Sequence, residues 1–211
     1  MTRKQIILAK LLVWLLCLAP LGRLVYRGLT ANLTANPVEF VQLSTGTWCL
    51  VFLLTSLAVT PLRRITGWNV LIRFRRLIGL FAFFYGCLHL TIYLVLDLEF
   101  NLCGIAADVV KRPFITAGFT ALMLMVPLAA TSTAWSIRKL GGKNWTRLHR
   151  LVYISAIAGV VHFWWKVKAD TREPAIYAAV LTALLATRLV VWSRNRAARS
   201  PVSAGQTQLQ S

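Results

Sequence analysis

Six long apolar runs, separated by short polar segments, dominate the pattern of hydrophobic and polar positions along the chain. Each run approaches the ~20 residues that a helix needs to cross the hydrocarbon layer of a bilayer. The runs are Gln5–Leu21, Thr45–Pro61, Phe74–Leu96, Pro113–Thr133, Arg147–Trp165 and Ala175–Trp192. The pattern predicts an all-α integral membrane protein, in which residues 1–199 form one six-helix transmembrane bundle. The small polar residues at 200–211 predict a disordered tail.

The distribution of charge predicts how the bundle is oriented. The net charge is +18, from 24 Lys and Arg against 6 Asp and Glu, which in a soluble protein would favour nucleic acid as the partner. Here the basic residues cluster in alternate loops, and all six acids fall in the intervening ones. The acids are Glu39, Asp97, Glu99, Asp108, Asp170 and Glu173. Because Lys- and Arg-rich loops stay in the cytoplasm, we expect both termini to be cytoplasmic, the partner to be the lipid bilayer, and no nucleic acid to bind.

Histidine is rare in this chain, which has only His89, His149 and His162. His89 and His162 fall inside predicted spans three and five, where a metal-ligating side chain is costly and indicates a functional site. At 1.5 Å per residue they lie about 22 and 25 Å along two parallel helices, and therefore at a similar depth in the outer half of the bilayer. We interpret the pair as the two axial ligands of one haem iron, a closed coordination suited to electron transfer. The alternative is that each imidazole makes only a helix–helix hydrogen bond.

A second candidate site lies at the cytoplasmic side of the same two spans. His149 precedes His162 by 13 residues on the fifth predicted helix, and it is either a ligand of a second haem or an exposed imidazole. The matching position on span three is Arg75, whose guanidinium stays protonated and is a poor iron ligand. Its planar donors suit a haem propionate or a flavin phosphate. The alternative is that Arg75 and its basic neighbours only set topology and contact lipid headgroups.

Several motifs resemble, in their order and spacing, the MsrQ (YedZ) family of haem-binding membrane subunits. They extend from about Leu43 to Lys168 and include LIRFRRLIGL at 71–80, LHLT at 88–91, KRP at 111–113, ATST at 130–133, WTRLHRLVY at 145–153 and HFW at 162–164. The family belongs to the ferric-reductase-like transmembrane superfamily, whose NADPH oxidase members carry two histidines on each of two helices. His89, His149 and His162 match three of these four positions, and Arg75 replaces the fourth.

The resemblance implies an electron-transfer subunit of the bacterial inner membrane that binds haem b and FMN. It implies that electrons come from the quinone pool or a cytosolic flavin reductase. They would pass to a periplasmic molybdopterin-containing methionine sulfoxide reductase that repairs oxidised periplasmic proteins. The catalytic site would then lie on that partner, and no residue of this chain would be catalytic. The expectation that FMN binds comes from the resemblance alone, since the chain has no glycine-rich phosphate loop.

Three other functions compete with this interpretation. A stand-alone transmembrane ferric reductase would use the same haem ligands. A proton-coupled transporter would use intramembrane histidines as a proton relay, but it predicts acids within the spans, and this chain has none deep in a span. A structural assembly factor would carry the histidines incidentally. The sequence leaves open the number of haems, the position of FMN, the electron donor, the oligomeric state and whether Cys49 and Cys103 pair.

Overall fold

The computed structural model describes residues 2–97, 109–167 and 170–197, and every regular element within them is helical. The helices are α1 (Arg3–Leu29), α2 (Pro37–Thr66), α3 (Ile72–Ile92), α4 (Pro113–Ala130), α5 (Ala134–Leu140), α6 (Gly142–Leu148), α7 (Leu151–Lys166) and α8 (Arg172–Ala197). A 3-10 turn at Asn69–Leu71 leads into α3, and a π-helical turn at Tyr93–Asp97 follows it. The predicted tail at 200–211 and Cys103 lie outside the described residues.

Five helical segments among the described residues are long and apolar enough to cross a membrane. They are α1, α2, α3 with its flanking turns, α4 and α8. Large apolar side chains lie exposed along α1 and α8, as expected where a helix faces lipid rather than protein. The expectation of an all-helical, multi-pass membrane protein is therefore confirmed.

The fifth predicted span differs from the helix that the chain forms there. The prediction began at Arg147, but α6 ends at Leu148, the chain turns at His149 and Arg150, and α7 begins at Leu151. At 16 residues, α7 is shorter than each of those five segments. The count of six spans therefore stays a prediction, and His149 does not share a continuous helix with His162.

Helix α2 continues through the proline at which the sequence pattern predicted its end. It runs to Thr66 and stops where Gly67 adopts the left-handed conformation (φ 73°), which glycine enters without a Cβ penalty. Pro61 therefore lies inside the helix. Because proline has no backbone N–H, the carbonyl of Leu57 loses its partner in the helical ladder.

Two antiparallel helix pairs, α2 with α3 and α4 with α7, form the part of the bundle that carries the histidines. Gly46 faces His89 and Ser56 approaches Gly79, which fixes the register of the first pair. In the second pair, the hydroxyl of the fully buried Ser155 donates to the Ala121 carbonyl at 2.9 Å. The apolar core lies among these helices. It includes Leu53, Leu57, Ala82, Tyr85 and Ala156.

Tyr85 connects α1 to this core through its hydroxyl group. The hydroxyl donates to the Cys17 carbonyl at 3.0 Å and accepts from the Leu21 N–H at 3.1 Å. These two groups would pair directly in an unbroken helix, so the tyrosine is inserted into the ladder of α1 beside Pro20. The side chain is 1 % exposed, and it therefore fixes where α1 packs.

Candidate functional site

The two intramembrane histidines meet inside the bundle. The ring centroids of His89 and His162 lie 6.0 Å apart, and their planes make an angle of 79°. Both side chains line one cavity of about 220 Å³ enclosed by α2, α3, α4 and α7. Most of its other walls are apolar, including Leu50, Leu122 and Met125. The structure thus brings together the two histidines that helix rise alone placed at a similar depth.

His89 is oriented by the backbone of α2. Its Nδ1 atom lies 3.0 Å from the carbonyl oxygen of Gln42. Because a carbonyl can only accept, Nδ1 carries the proton and Nε2 keeps a free lone pair. The ring packs against Gly46, where a Cβ would lie 3.0 Å from Nδ1. Glycine at this position is therefore what lets the ring reach the carbonyl.

His162 is held in the same way by α4. Its Nδ1 donates to the Phe114 carbonyl at 2.6 Å, and a Cβ on Gly118 would lie 2.6 Å from that nitrogen. As on α2, the carbonyl belongs to the residue four positions before the glycine. Each pair of antiparallel helices thus repeats one device, in which a carbonyl orients an imidazole and a glycine leaves room for it.

This arrangement fits haem iron. A ligating histidine usually donates its other N–H to a carbonyl or carboxylate, as both rings do here. With metal–nitrogen bonds of about 2 Å, two imidazoles whose ring centres are 6.0 Å apart in one cavity could both hold a single iron. Among the described residues, no three His, Cys, Asp or Glu side chains group together as a metal site. Two protein ligands alone suit an ion whose other ligands come from a macrocycle.

The rim of the cavity is polar and basic at the end nearest the α3–α4 connection. Arg112 and Lys166 line it, together with Gln42. The Gln42 side-chain oxygen is buried and has no hydrogen-bond partner in the described structure. A buried acceptor without a partner is costly, so this oxygen indicates that a ligand or water completes the site. The π-helical turn that begins at Tyr93 adjoins the same rim, a type of irregularity frequent at functional sites.

His149 lies apart from the other two histidines, in the turn between α6 and α7. Its ring stacks on Trp145 with centroids 3.8 Å apart, and its Nδ1 donates to the Trp145 carbonyl at 3.1 Å. Its Nε2 is buried with no hydrogen-bond partner among the described residues. The imidazole is therefore not simply exposed, and it also lies within range of the Leu128 backbone.

Arg75, the other predicted residue of this second site, lies in the first turn of α3. Its guanidinium is within electrostatic range of the His149 imidazole, and Arg75 is also within range of Arg188 on α8. The sequence analysis missed Arg188, although a single cation inside the apolar run Ala175–Trp192 is itself a signal of function. Its Nη2 donates to the Leu57 carbonyl at 3.2 Å, and its guanidinium lies 5.1 Å from the ring centre of Tyr153.

Comparison with known proteins gives the class to which this fold and site belong. A family described as "Ferric reductase like transmembrane component" matches residues 42–160, which include His89 and His149 and end two residues before His162. This segment is more than half of the chain. The chain therefore belongs to a class of membrane proteins built on the ferric-reductase-like transmembrane bundle.

Individual relatives narrow this class. A protein of Ralstonia nicotianae is 52% identical over 96% of this chain and 93% of its own length. Proteins of Rhodospirillum rubrum and Herminiimonas arsenicoxydans are 50% and 47% identical over 92% and 95% of this chain. All three bear the name "Protein-methionine-sulfoxide reductase heme-binding subunit MsrQ". The chain is a member of the MsrQ family, as its sequence motifs indicated.

Proposed function

We propose that this chain is the haem-binding, electron-transfer subunit of a methionine sulfoxide reductase system, and that His89 and His162 ligate one haem b. The observation that carries the proposal is the pair of carbonyl-oriented imidazoles in one apolar cavity. The names of the relatives supply the cofactor and the system. Bound haem would supply one-electron redox chemistry.

The residues of the chain would control that chemistry by position. The carbonyls of Gln42 and Phe114 keep both imidazoles in the Nδ1-protonated tautomer, so that each Nε2 offers its lone pair. Since the two imidazoles would leave the iron no open coordination position, the site favours electron transfer over binding of oxygen. The apolar walls exclude water, which helps to set the redox potential.

A second cofactor site is proposed around His149 and Arg75. The unpartnered Nε2 of His149 is a candidate iron ligand, and Arg75 is a candidate partner for a haem propionate or the phosphate of FMN. FMN enters on the resemblance to the family. Because Arg75 is always cationic, it would bind an anionic group of the cofactor rather than the iron.

The proposed direction of transfer follows from topology. In an inner-membrane protein with six spans and both termini cytoplasmic, the His89–His162 site lies toward the periplasm and His149 toward the cytoplasm. Electrons would enter from the quinone pool or a cytosolic flavin reductase. They would leave to a periplasmic, molybdopterin-containing reductase subunit. A reporter that is active only in the cytoplasm should be active after Ser211, and activity of a periplasmic reporter there would contradict this orientation.

The function is tested by the spectrum of the purified protein and by its electron acceptor. A reduced-minus-oxidised spectrum should show a b-type haem, which a transporter or an assembly factor would lack. Dithionite-reduced protein should then be reoxidised faster by the periplasmic reductase subunit than by ferric citrate. The family description makes a stand-alone ferric reductase the second candidate, and faster reoxidation by ferric citrate would favour it.

A further inference from the structure

The second intramembrane arginine, Arg188, has a defined anchor. Pro61 deprives the Leu57 carbonyl of its helical partner, and Arg188 Nη2 donates to that carbonyl at 3.2 Å. The guanidinium also lies over the ring of Tyr153 on α7. A side chain of the last helix is thereby turned into the bundle, between α2 and α7. This bond uses one of its five N–H donors, and the other donors make no hydrogen bond to the residues that the structure describes.

Arg75 approaches the same place from α3. Ser56 packs near Gly79, so continuing this antiparallel pairing by one helical turn brings Thr60 to face Arg75. The Thr60 hydroxyl oxygen is buried with no hydrogen-bond partner in the described structure, as is Nε2 of His149. Leu57 and Thr60 lie one turn apart on α2, so Arg188 and Arg75 approach neighbouring positions of that helix, and their like charges repel. The cluster therefore contains two cations and two unpartnered polar atoms.

None of the acids in the described structure is placed to neutralise the cluster. Glu39, Asp97, Asp170 and Glu173 all lie at the opposite ends of the helices, in the first turn of α2, just after α3, and at or just before the start of α8. Glu173, on the same helix as Arg188, is 15 residues away, or about 22 Å along the axis. Two like charges held together inside a membrane bundle are costly. An anion from outside the chain would remove that cost.

We propose that Arg75 and Arg188 together bind a dianionic oxyanion of the inner cofactor, and that the Leu57 carbonyl freed by Pro61 positions Arg188 for this role. The ligand is either a phosphate monoester or a pair of carboxylates, since paired guanidiniums present planar donor forks to both. The proposal rests on the proposed function, because it assumes a cofactor near His149. It adds a binding residue that lies outside the histidine motifs.

The first test is Arg188→Gln, which removes the charge and keeps an amide donor for the Leu57 carbonyl. Losing one charged hydrogen-bonding partner should weaken retention of the inner group roughly ten- to a hundredfold. The measurement is haem and flavin per polypeptide after purification, with the spectrum of the outer haem as the control for folding. Arg194→Gln, an exposed arginine at the same end of α8, is the matched control and should change neither content.

A second variant tests whether Arg188 binds the inner cofactor or only connects α8 to α2. Pro61→Ala restores an N–H for the Leu57 carbonyl, so the helix no longer needs Arg188 at that position. In the Pro61→Ala background, Arg188→Gln should still lose the inner group. Full cofactor content in this double variant would show that Arg188 only tethers α8 to α2, and would overturn the proposal. The double variant also guards against a folding defect in Arg188→Gln alone.

Counting the released groups separately identifies the source of the anion. Loss of flavin identifies the phosphate of FMN, and loss of one haem identifies a pair of propionates; each supports the proposal. Unchanged haem and flavin, or loss of co-purified phospholipid alone, would overturn it. In a His89→Ala background, Arg188→Gln should cause the same loss of the inner group as it does in the otherwise wild-type protein. A missing outer haem in the wild type would instead contradict the proposed function, so the two failures are distinguishable.

Discussion

His89 and His162 lie on α3 and α7, whereas Arg75 on α3, Arg188 on α8 and His149 in the turn before α7 form a second cluster of different chemistry. Under the proposed topology, the first is the outer level and the second the inner level. At the outer level, His89 and His162 each donate to a carbonyl and pack on a glycine. At the inner level, only His149 offers an imidazole, and Arg75 and Arg188 supply charge. The outer level thus offers neutral imidazoles to a metal ion beneath a basic rim, whereas the inner level is cationic and suited to an anion.

This difference teaches that the histidine positions alone do not define a cofactor site in this bundle. On α2 and α4, Gly46 and Gly118 determine whether a ring can approach the helix closely. On α2 and α8, Pro61 and Arg188 determine how charge is placed inside the membrane. The two levels should therefore respond separately to substitution.

Among substitutions outside the histidines, the largest effect is expected from Gly118→Ala. The new Cβ would lie 2.6 Å from His162 Nδ1, so the ring must move and lose its bond to Phe114. Such overpacking costs about 1–3 kcal/mol, which is roughly a ten- to hundredfold loss of haem affinity. Gly46→Ala, where the contact is 3.0 Å, should have a smaller effect in the same direction. The measurement is haem per polypeptide.

Gly22→Ala is the matched control for these two substitutions, because nothing lies within 4 Å of its added Cβ. It should leave the haem content of the protein unchanged. Wild-type haem content in Gly118→Ala would contradict the argument that glycine makes room for the imidazole.

Some features of the fold and of the site follow from the sequence alone, whereas others depend on which helices pack together. The depth of His89 and His162 follows from helix rise, because apolar runs define where the spans lie. The glycines and carbonyls that orient the rings require the pairing of α2 with α3 and of α4 with α7, which no local pattern encodes. The turn at His149 was also missed, since no proline or glycine marks it.

The next largest effect is expected at the inner level, from His149→Ala and Arg75→Ala. Each should weaken binding of the inner cofactor and slow the entry of electrons, while the spectrum of the outer haem stays unchanged. Arg75→Lys should restore binding only in part, because a point charge cannot make a bidentate contact. Cofactor content and the rate of reduction by the donor are the measurements. Unchanged cofactor content and an unchanged rate of reduction in Arg75→Ala would show that this arginine only helps to set the topology.

A smaller effect, on stability rather than on either cofactor level, is expected from Tyr85→Phe. The substitution removes the hydroxyl that bridges Cys17 and Leu21 in α1, so both backbone groups lose their hydrogen bond to α3. The free energy of unfolding should fall by about 1–3 kcal/mol, measured by titration with denaturing detergent. Haem content at low temperature should match the wild type. A selective loss of one haem would show instead that Tyr85 belongs to a cofactor site.

The central claim is that His89 and His162 ligate the same iron, and counting haems in single and double variants tests it most directly. His89→Ala and His162→Ala should each remove one haem per polypeptide, and the double variant should remove no more than either alone. His149→Ala should retain that outer haem, and it is the histidine control. Additive losses, or a six-coordinate spectrum with full haem content in His89→Ala, would show that the two histidines do not share an iron.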